Sequence, residues 1–212
     1  MDLGHNQMET NIAKAEVVKR LEKAWEMLSN RIDEENEKFL EDPNEDQLAE
    51  NYFVCWEESD VPFQLGRFFY LVNDDQKYVF HVETHLKSSN FDSYRFANNG
   101  NLERTRRALG KKATVDFLID DGSYDILVAI GEAKYFHYKV EGVSRGAKTV
   151  LGEVGKDFNR LTTFKKEKIC RYTVFVVFDK YYHRYEPTTW NRVLAKLDKM
   201  KESGVIVFWK EV

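Results

Sequence analysis

The stretch that decides the fold is VDFLIDDGSYDILVAIGEAKYF, residues 115–136. Two apolar runs flank an Asp-Gly-Ser segment at residues 121–123, and this pattern predicts a β-hairpin. A buried hairpin should carry apolar side chains on its inner face. Here Asp116 stands near the start of the first run, and Glu132 and Lys134 stand near the end of the second. Because charges inside a sheet are costly unless they serve a purpose, the hairpin is a candidate functional site.

The charged side chains of this hairpin suit one kind of chemistry. Side-chain alternation places Glu132 and Lys134 on one face of their strand. Counted from Gly122, Asp116 is 6 residues away and Glu132 is 10, so we expect an offset register with a bulge, for which Gly131 is the natural position. Carboxylate oxygens suit Mg²⁺, which binds substrate phosphates, and a neighbouring lysine can position water or stabilise the transition state. The residues therefore indicate phosphodiester hydrolysis.

The rest of the chain predicts an α/β (α+β) fold with a central mixed β-sheet flanked by helices. Acidic residues 1–45 are predicted to form an N-terminal helical arm that ends near Pro43, and residues 46–212 a catalytic domain. Hydrophobic periodicity predicts helices over 10–40, 46–56, 58–74, 147–168 and 188–204, and strands over 77–86, 172–179 and 205–212.

Charge is distributed unevenly along the chain. Residues 1–60 hold 6 basic and 17 acidic side chains, a net charge of −11, whereas residues 61–212 hold 26 basic and 19 acidic, a net charge of +7. The larger part is therefore basic, which is compatible with a nucleic-acid partner. No apolar run approaches the ~18–20 residues of a membrane span, the N-terminus lacks a signal-peptide pattern, and the two cysteines are far apart, so we expect a cytoplasmic protein without a membrane partner.

The hairpin motif resembles that of a known group of enzymes. Val115-Asp116, followed by Gly-Glu-Ala-Lys at 131–134, is similar to the signature of the PD-(D/E)xK nuclease superfamily, which includes restriction endonucleases. Its restriction-endonuclease-like core has the order α-β-β-β-α-β, which the predicted elements follow over about residues 57–180. Val115 stands where the motif often has Pro. The Gln-x-x-x-Tyr motif of exonuclease branches is not present after Lys134, which favours an endonuclease.

The resemblance implies roles for individual residues. Asp116 and Glu132 would bind Mg²⁺, for which Mn²⁺ could substitute, and the Ala133 carbonyl would be a third ligand. Lys134 would be the catalytic lysine. The implied function is a Mg²⁺-dependent DNA endonuclease, of a restriction or DNA-processing type. A homodimer is expected because cutting both strands of a duplex favours two sites.

An additional acid and a set of cations complete the predicted site. In the superfamily the helix before the first strand often contributes a further acid, which points here to Glu58, ahead of Glu57 and Asp60. Phosphate contacts are predicted on the basic segment before the hairpin and on the helix after it. The cations concerned are Arg104, Arg106, Arg107, Lys111, Lys112, Lys148, Lys156 and Arg160.

Several alternatives remain open from the sequence. The fold could serve a catalytically silent nucleic-acid-binding or assembly protein, the substrate could be RNA, and the Glu132–Lys134 pair could be an ion pair on an edge strand near solvent. His81, Glu83 and His85 alternate along one strand and could form a zinc or iron site; in a nuclease, Glu83 or His85 would instead border the active site. A nucleophile elbow, a phosphate-binding loop and a dinucleotide fingerprint are absent from the sequence.

Overall fold

A computed structural model describes residues 3–41, 58–85, 114–122, 127–137, 147–180 and 182–211. The predicted helix at 46–56 and the predicted boundary between residues 45 and 46 lie outside these ranges. The elements are α1 (Leu3–Glu41), α2 (Asp60–Val72), β1 (Val79–His85), β2 (Thr114–Asp120), β3 (Leu127–His137), α3 (Ala147–Lys166), β4 (Cys170–Lys180), α4 (Tyr182–Tyr185), α5 (Pro187–Glu202) and β5 (Ile206–Glu211).

The five described strands form one sheet in the order β1-β2-β3-β4-β5. Strand β2 is antiparallel to both of its neighbours, β1 and β3, whereas β3, β4 and β5 run parallel to one another. The helices that connect parallel strands are α3 and α5, as a crossover connection requires. This architecture confirms the predicted mixed sheet flanked by helices. Among the described helices, none has both the length and the apolarity needed to cross a bilayer.

Two apolar cores lie on the two faces of the sheet. One core joins the sheet to α3 and α5, and the other joins it to α1 and α2. Strand β4 is buried without interruption from Thr173 to Asp179, as expected for a central strand covered on both faces. Helix α1 packs on α2 and contributes the fully buried Val17, Leu21 and Leu28, so this helix shares a core with the sheet.

The β2–β3 hairpin is regular where its strands pair. Phe117 pairs with Gly131, and Ile119 pairs with Ala129. Gly131 is itself one of the regularly paired residues, so the predicted bulge at this position is wrong. The predicted offset was counted outward from Gly122, whereas the residue numbers of each pair average 124.

Gly131 has a different role from the expected bulge. A Cβ atom at this position would lie 1.9 Å from Cζ of Phe117, the residue with which Gly131 pairs. The Phe117 ring is fully buried and stacks on Phe80 at 5.1 Å between centroids. The absence of a side chain at Gly131 therefore leaves the space that the ring occupies between β2 and β3.

We expect Gly131→Ala to lower the free energy of unfolding by about 3 kcal/mol or more, because the stacked ring cannot move aside without disturbing the core. Urea denaturation followed by circular dichroism measures the change. Gly152→Ala is the matched control, because a Cβ atom at this exposed helical glycine meets nothing within 4 Å and should stabilise by up to about 1 kcal/mol. Equal effects of the two substitutions would contradict this account of Gly131.

Candidate functional site

The candidate site is built around Glu132 and Lys134 on β3. Their side chains are directed toward α3, on the face where Ile130 and Phe136 join the core. Glu132 is 0% exposed and Lys134 is 7% exposed. Strand β3 lies between β2 and β4 in the described sheet. These residues therefore do not form the solvent-facing ion pair on an edge strand that the sequence left open.

Helix α3 supplies an opposite charge to each of these side chains. The Arg160 guanidinium forms an ion pair with Glu132, and Asp157 Oδ2 lies 3.2 Å from Lys134 Nζ. Asp157 and Arg160 are 7% and 9% exposed, and Arg160 also donates to the Thr114 carbonyl. Helix α3 and strand β3 thus meet through two buried pairs of opposite charge.

Sequence analysis missed Asp157 and assigned Arg160 to a phosphate contact. A signal for both was present in the pattern of α3. Asp157 and Arg160 lie three residues apart, and they continue the stripe of buried apolar positions formed by Val150, Val154 and Phe164. A charged pair on the apolar stripe of a helix indicates partners inside the protein rather than in solvent.

Glu58 is the predicted auxiliary acid, and the structure brings it to the lysine. Lys134 Nζ donates to Glu58 Oε1 at 2.6 Å and to the Ala133 carbonyl at 3.0 Å. Burial disfavours the charged lysine, but Asp157 and Glu58, with a smaller contribution from Asp116, outweigh it and raise the pKa of Lys134. The side chain is therefore a fixed ammonium at neutral pH.

Asp116 is held at the opening of the same site. Its Oδ2 accepts a hydrogen bond of 2.7 Å from the Ala133 backbone N–H. Asp116 also lines a cavity of about 280 Å³ whose wall includes two further carboxylates, Glu58 and Glu83, together with Ser59 and Pro62. Three acids from three separate segments of the chain therefore surround one cavity.

Glu83 reaches this cavity from a strained backbone. Its φ of 48° is in the left-handed region, which is uncommon for residues other than glycine. The pairs on either side, Val82 with Phe117 and Thr84 with Val115, keep one register, so Glu83 is the unpaired position opposite Asp116. Strain of about 1–3 kcal/mol at such a residue is characteristic of functional sites.

Of the alternative trio His81, Glu83 and His85, the structure describes the side chains of the first two, and these have different surroundings. His81 Nε2 lies 2.6 Å from Asp120 Oδ2, whereas Glu83 lines the cavity. The His85 side chain lies outside the described residues. Burial alone would raise the pKa of Asp120, but His81 and the Gly122 N–H hold it below its ordinary value. His81 is therefore paired with Asp120 on the neighbouring strand β2.

The predicted metal ligands fall into two groups. Asp116 faces the cavity with Glu58. Glu132 is buried against Arg160, and the Ala133 carbonyl accepts a hydrogen bond from Lys134. Asp116 therefore lines the cavity, whereas Glu132 is not among the lining residues.

The predicted phosphate-binding cations are described only in part. Lys148 and Lys156 are exposed on α3, whereas Arg160 is buried in the site. Lys148 also lines a cavity of about 700 Å³ between α3 and α5, whose other cations are Arg192, Lys196 and Lys199. The predicted cations outside the described residues are Arg104, Arg106, Arg107, Lys111 and Lys112.

Comparison of the chain with protein-family models, with curated proteins and with solved structures finds no match in any of the three.

We expect removal of one member of the buried Glu132–Arg160 pair to be strongly destabilising. Arg160→Met leaves a carboxylate without its cation in the core and should lower the free energy of unfolding by about 3–5 kcal/mol. The free energy of unfolding of the double variant Glu132→Leu/Arg160→Met should fall by much less than the sum of the decreases in the two single variants. Urea denaturation of the wild type, both single variants and the double variant measures this.

The control for this cycle is the exposed pair of Lys201 and Asp198, which are 46% and 68% exposed with Nζ and Oδ1 3.3 Å apart. Lys201→Met should change stability by less than about 0.5 kcal/mol. Additive losses from the Glu132 and Arg160 substitutions would contradict a buried, mutually compensating pair.

Proposed function

We propose that the protein is a Mg²⁺-dependent nuclease that hydrolyses phosphodiester bonds in DNA, with endonucleolytic action. The observation that carries the proposal is the cavity lined by Glu58, Glu83 and Asp116, with the Lys134 ammonium bonded to the first of these acids. Carboxylates that surround a water-accessible cavity next to a fixed cation suit a site that acts on phosphate groups.

The residues at the cavity fit a hard divalent cation. Mg²⁺ prefers oxygen ligands and commonly binds through one or two carboxylates and several waters. Asp116 and Glu58 would hold the ion, and Glu83 is the third acid of the wall. When bound, the ion would supply charge neutralisation at the phosphate and lower the pKa of a bound water.

Lys134 has a defined chemical part in the proposal. Its raised pKa keeps it protonated, so it acts as a hydrogen-bond donor and a positive charge, and does not act as a general base. Its contacts with Glu58 and with Asp157 hold the ammonium in place. A fixed ammonium is already oriented for the negative charge that develops as the phosphodiester bond is broken.

Glu132 supports the site from the core. Both of its carboxylate oxygens are buried, and Arg160 compensates its charge. It would become a metal ligand only if Arg160 moved away from it. In the resting geometry, the Glu132–Arg160 pair fixes the end of β3 that carries Ala133 and Lys134 against α3.

The same pair favours a second candidate function, a nucleic-acid-binding protein of this fold without catalysis. A site in which Glu132 is neutralised by Arg160 and Lys134 is shared by two acids has lost part of the predicted ligand set to internal ion pairs. Such a protein would still offer the exposed Lys148 and Lys156 on α3 to a phosphate backbone.

We expect the purified protein to nick or linearise supercoiled plasmid with Mg²⁺ or Mn²⁺ and to be inactive in EDTA. Asp116→Asn removes a cavity carboxylate, and Lys134→Met removes the fixed cation, so each should lower the cleavage rate by about 100-fold or more. The control is Asp120→Asn, which alters an acid on the same strand that is bonded to His81, and it should cleave at the wild-type rate.

Two other outcomes would point away from this proposal. Wild-type protein that cleaves no plasmid, single-stranded, branched or RNA substrate, yet binds DNA with an affinity that falls as salt rises, would favour the silent binding protein. Cleavage that survives both Asp116→Asn and Lys134→Met would place the active centre elsewhere. Thermal unfolding of each variant separates loss of activity from loss of fold.

A further inference from the structure

A second group of metal-binding side chains lies at the carboxyl end of β4. Asp179 ends the buried part of that strand, His183 follows in α4, and Glu211 ends β5. Each can offer a ligand atom, and these atoms all lie within 4.8 Å of one another. We propose that these three residues bind a divalent transition-metal ion of the Zn²⁺ and Co²⁺ class, at a site separate from the cavity beside Lys134.

The chain brings the three residues together by simple means. Asp179 and Glu211 are register partners on the parallel strands β4 and β5. Asp179 continues the alternation of Phe175 and Val177, whose side chains belong to the core under α3 and α5. His183 is four residues beyond Asp179, and its Nδ1 lies 2.7 Å from Asp179 Oδ2. Ligands grouped at the carboxyl ends of parallel strands occupy the usual position of a binding site.

The spacing is close to that of a coordination sphere. Zinc lies about 2.0–2.2 Å from nitrogen and oxygen ligands in tetrahedral sites, so two ligand atoms of one ion are about 3.3–3.6 Å apart. The three atoms lie within 4.8 Å of one another, so binding would require a modest adjustment of the side chains. Glu211 is exposed, so its side chain has room for such an adjustment.

Neighbouring groups orient two of the ligands. Trp190 Nε1 donates to Glu211 Oε1 at 2.7 Å, and the backbone N–H groups of Tyr182 and His183 donate to Asp179 at 2.7 and 2.9 Å. Outer hydrogen bonds of this kind fix the direction of metal-binding carboxylates. Asp179 is also 0% exposed, and a cation would compensate a carboxylate that is otherwise costly to bury.

The ligand chemistry distinguishes this group from the cavity beside Lys134. An imidazole with two carboxylates favours a borderline transition metal over Mg²⁺, whereas the cavity wall offers carboxylates alone. Phe136 pairs in register with Asp179, two residues beyond Lys134, and its ring packs on Tyr182 and Trp190. The aromatic rings of Phe136, Tyr182 and Trp190 therefore lie next to the proposed site, two residues beyond Lys134 in the strand register.

The test is titration of the EDTA-treated, desalted full chain with Zn²⁺ by calorimetry, in buffer that holds a large excess of Mg²⁺ to occupy oxygen-only sites. We expect one Zn²⁺ per chain and a higher unfolding temperature with the ion. His183→Ala and Glu211→Gln should each weaken binding by about 10-fold or more. Glu211→Gln is the decisive variant, because the side chain is exposed and its amide oxygen can still accept from Trp190.

A matched control and a second readout sharpen the result. His81→Ala removes another histidine that is paired with an aspartate, but the His81–Asp120 pair belongs to no three-ligand cluster among the described residues, so Zn²⁺ binding should be unchanged. Co²⁺ should quench tryptophan fluorescence, because Trp190 contacts a proposed ligand and Trp209 lies 6.3 Å from Trp190, and His183→Ala should weaken the quenching.

Unchanged affinity in both His183→Ala and Glu211→Gln, or no Zn²⁺ uptake by the wild type, would overturn the site. Asp179 would then serve only as the hydrogen-bond acceptor that begins α4 and pairs with His183. Because the assay measures binding and not cleavage, its failure is distinct from failure of the proposed nuclease function.

Discussion

The structure depends on the neutralisation of two charges inside a central strand. Glu132 and Lys134 are buried on β3, and each meets its opposite charge on α3, at Arg160 and Asp157. A buried charge without its partner costs about 3–5 kcal/mol, while a domain of this size is stable by only about 5–15 kcal/mol. Helix α3 therefore cannot slide by one turn along the sheet, since that would leave both charges uncompensated. The apolar core sets the distance between helix and sheet, and the ion pairs set the position along it.

The sequence predicted the elements well because hydrophobic periodicity reports burial directly. It predicted that the hairpin carries a charged cluster and that Glu58 joins it, the latter through a family resemblance. It could not predict the register, because the offset was counted from Gly122, whereas the residue numbers of the paired residues average 124. Nor could it identify the partners on α3, since contacts between residues 132 and 160 depend on how the helix returns over the sheet.

The two groups of side chains for which functions are proposed lie in one region of the fold. Lys134 on β3 and Asp179 on β4 are only two residues apart in strand register, and both follow core residues on the face covered by α3 and α5. At the carboxyl ends of parallel strands the sheet ends and the connecting segments begin. Polar backbone and side-chain groups can meet there outside the packed core. The sheet thus determines where polar chemistry can be placed, and the crossover helices supply its partners.

The ion pairs around Lys134 leave an imbalance of charge. Among the described residues, Lys134 and Arg160 meet four carboxylates: Glu58, Asp116, Glu132 and Asp157. The formal charge of this described cluster is −2. An anionic ligand approaching this cluster would be repelled unless a cation arrived with it. Binding of the anion and binding of the cation would then be linked, and each ligand would increase the affinity for the other by the same factor. Electroneutrality would make the site selective for an anion and a cation bound together over either one alone.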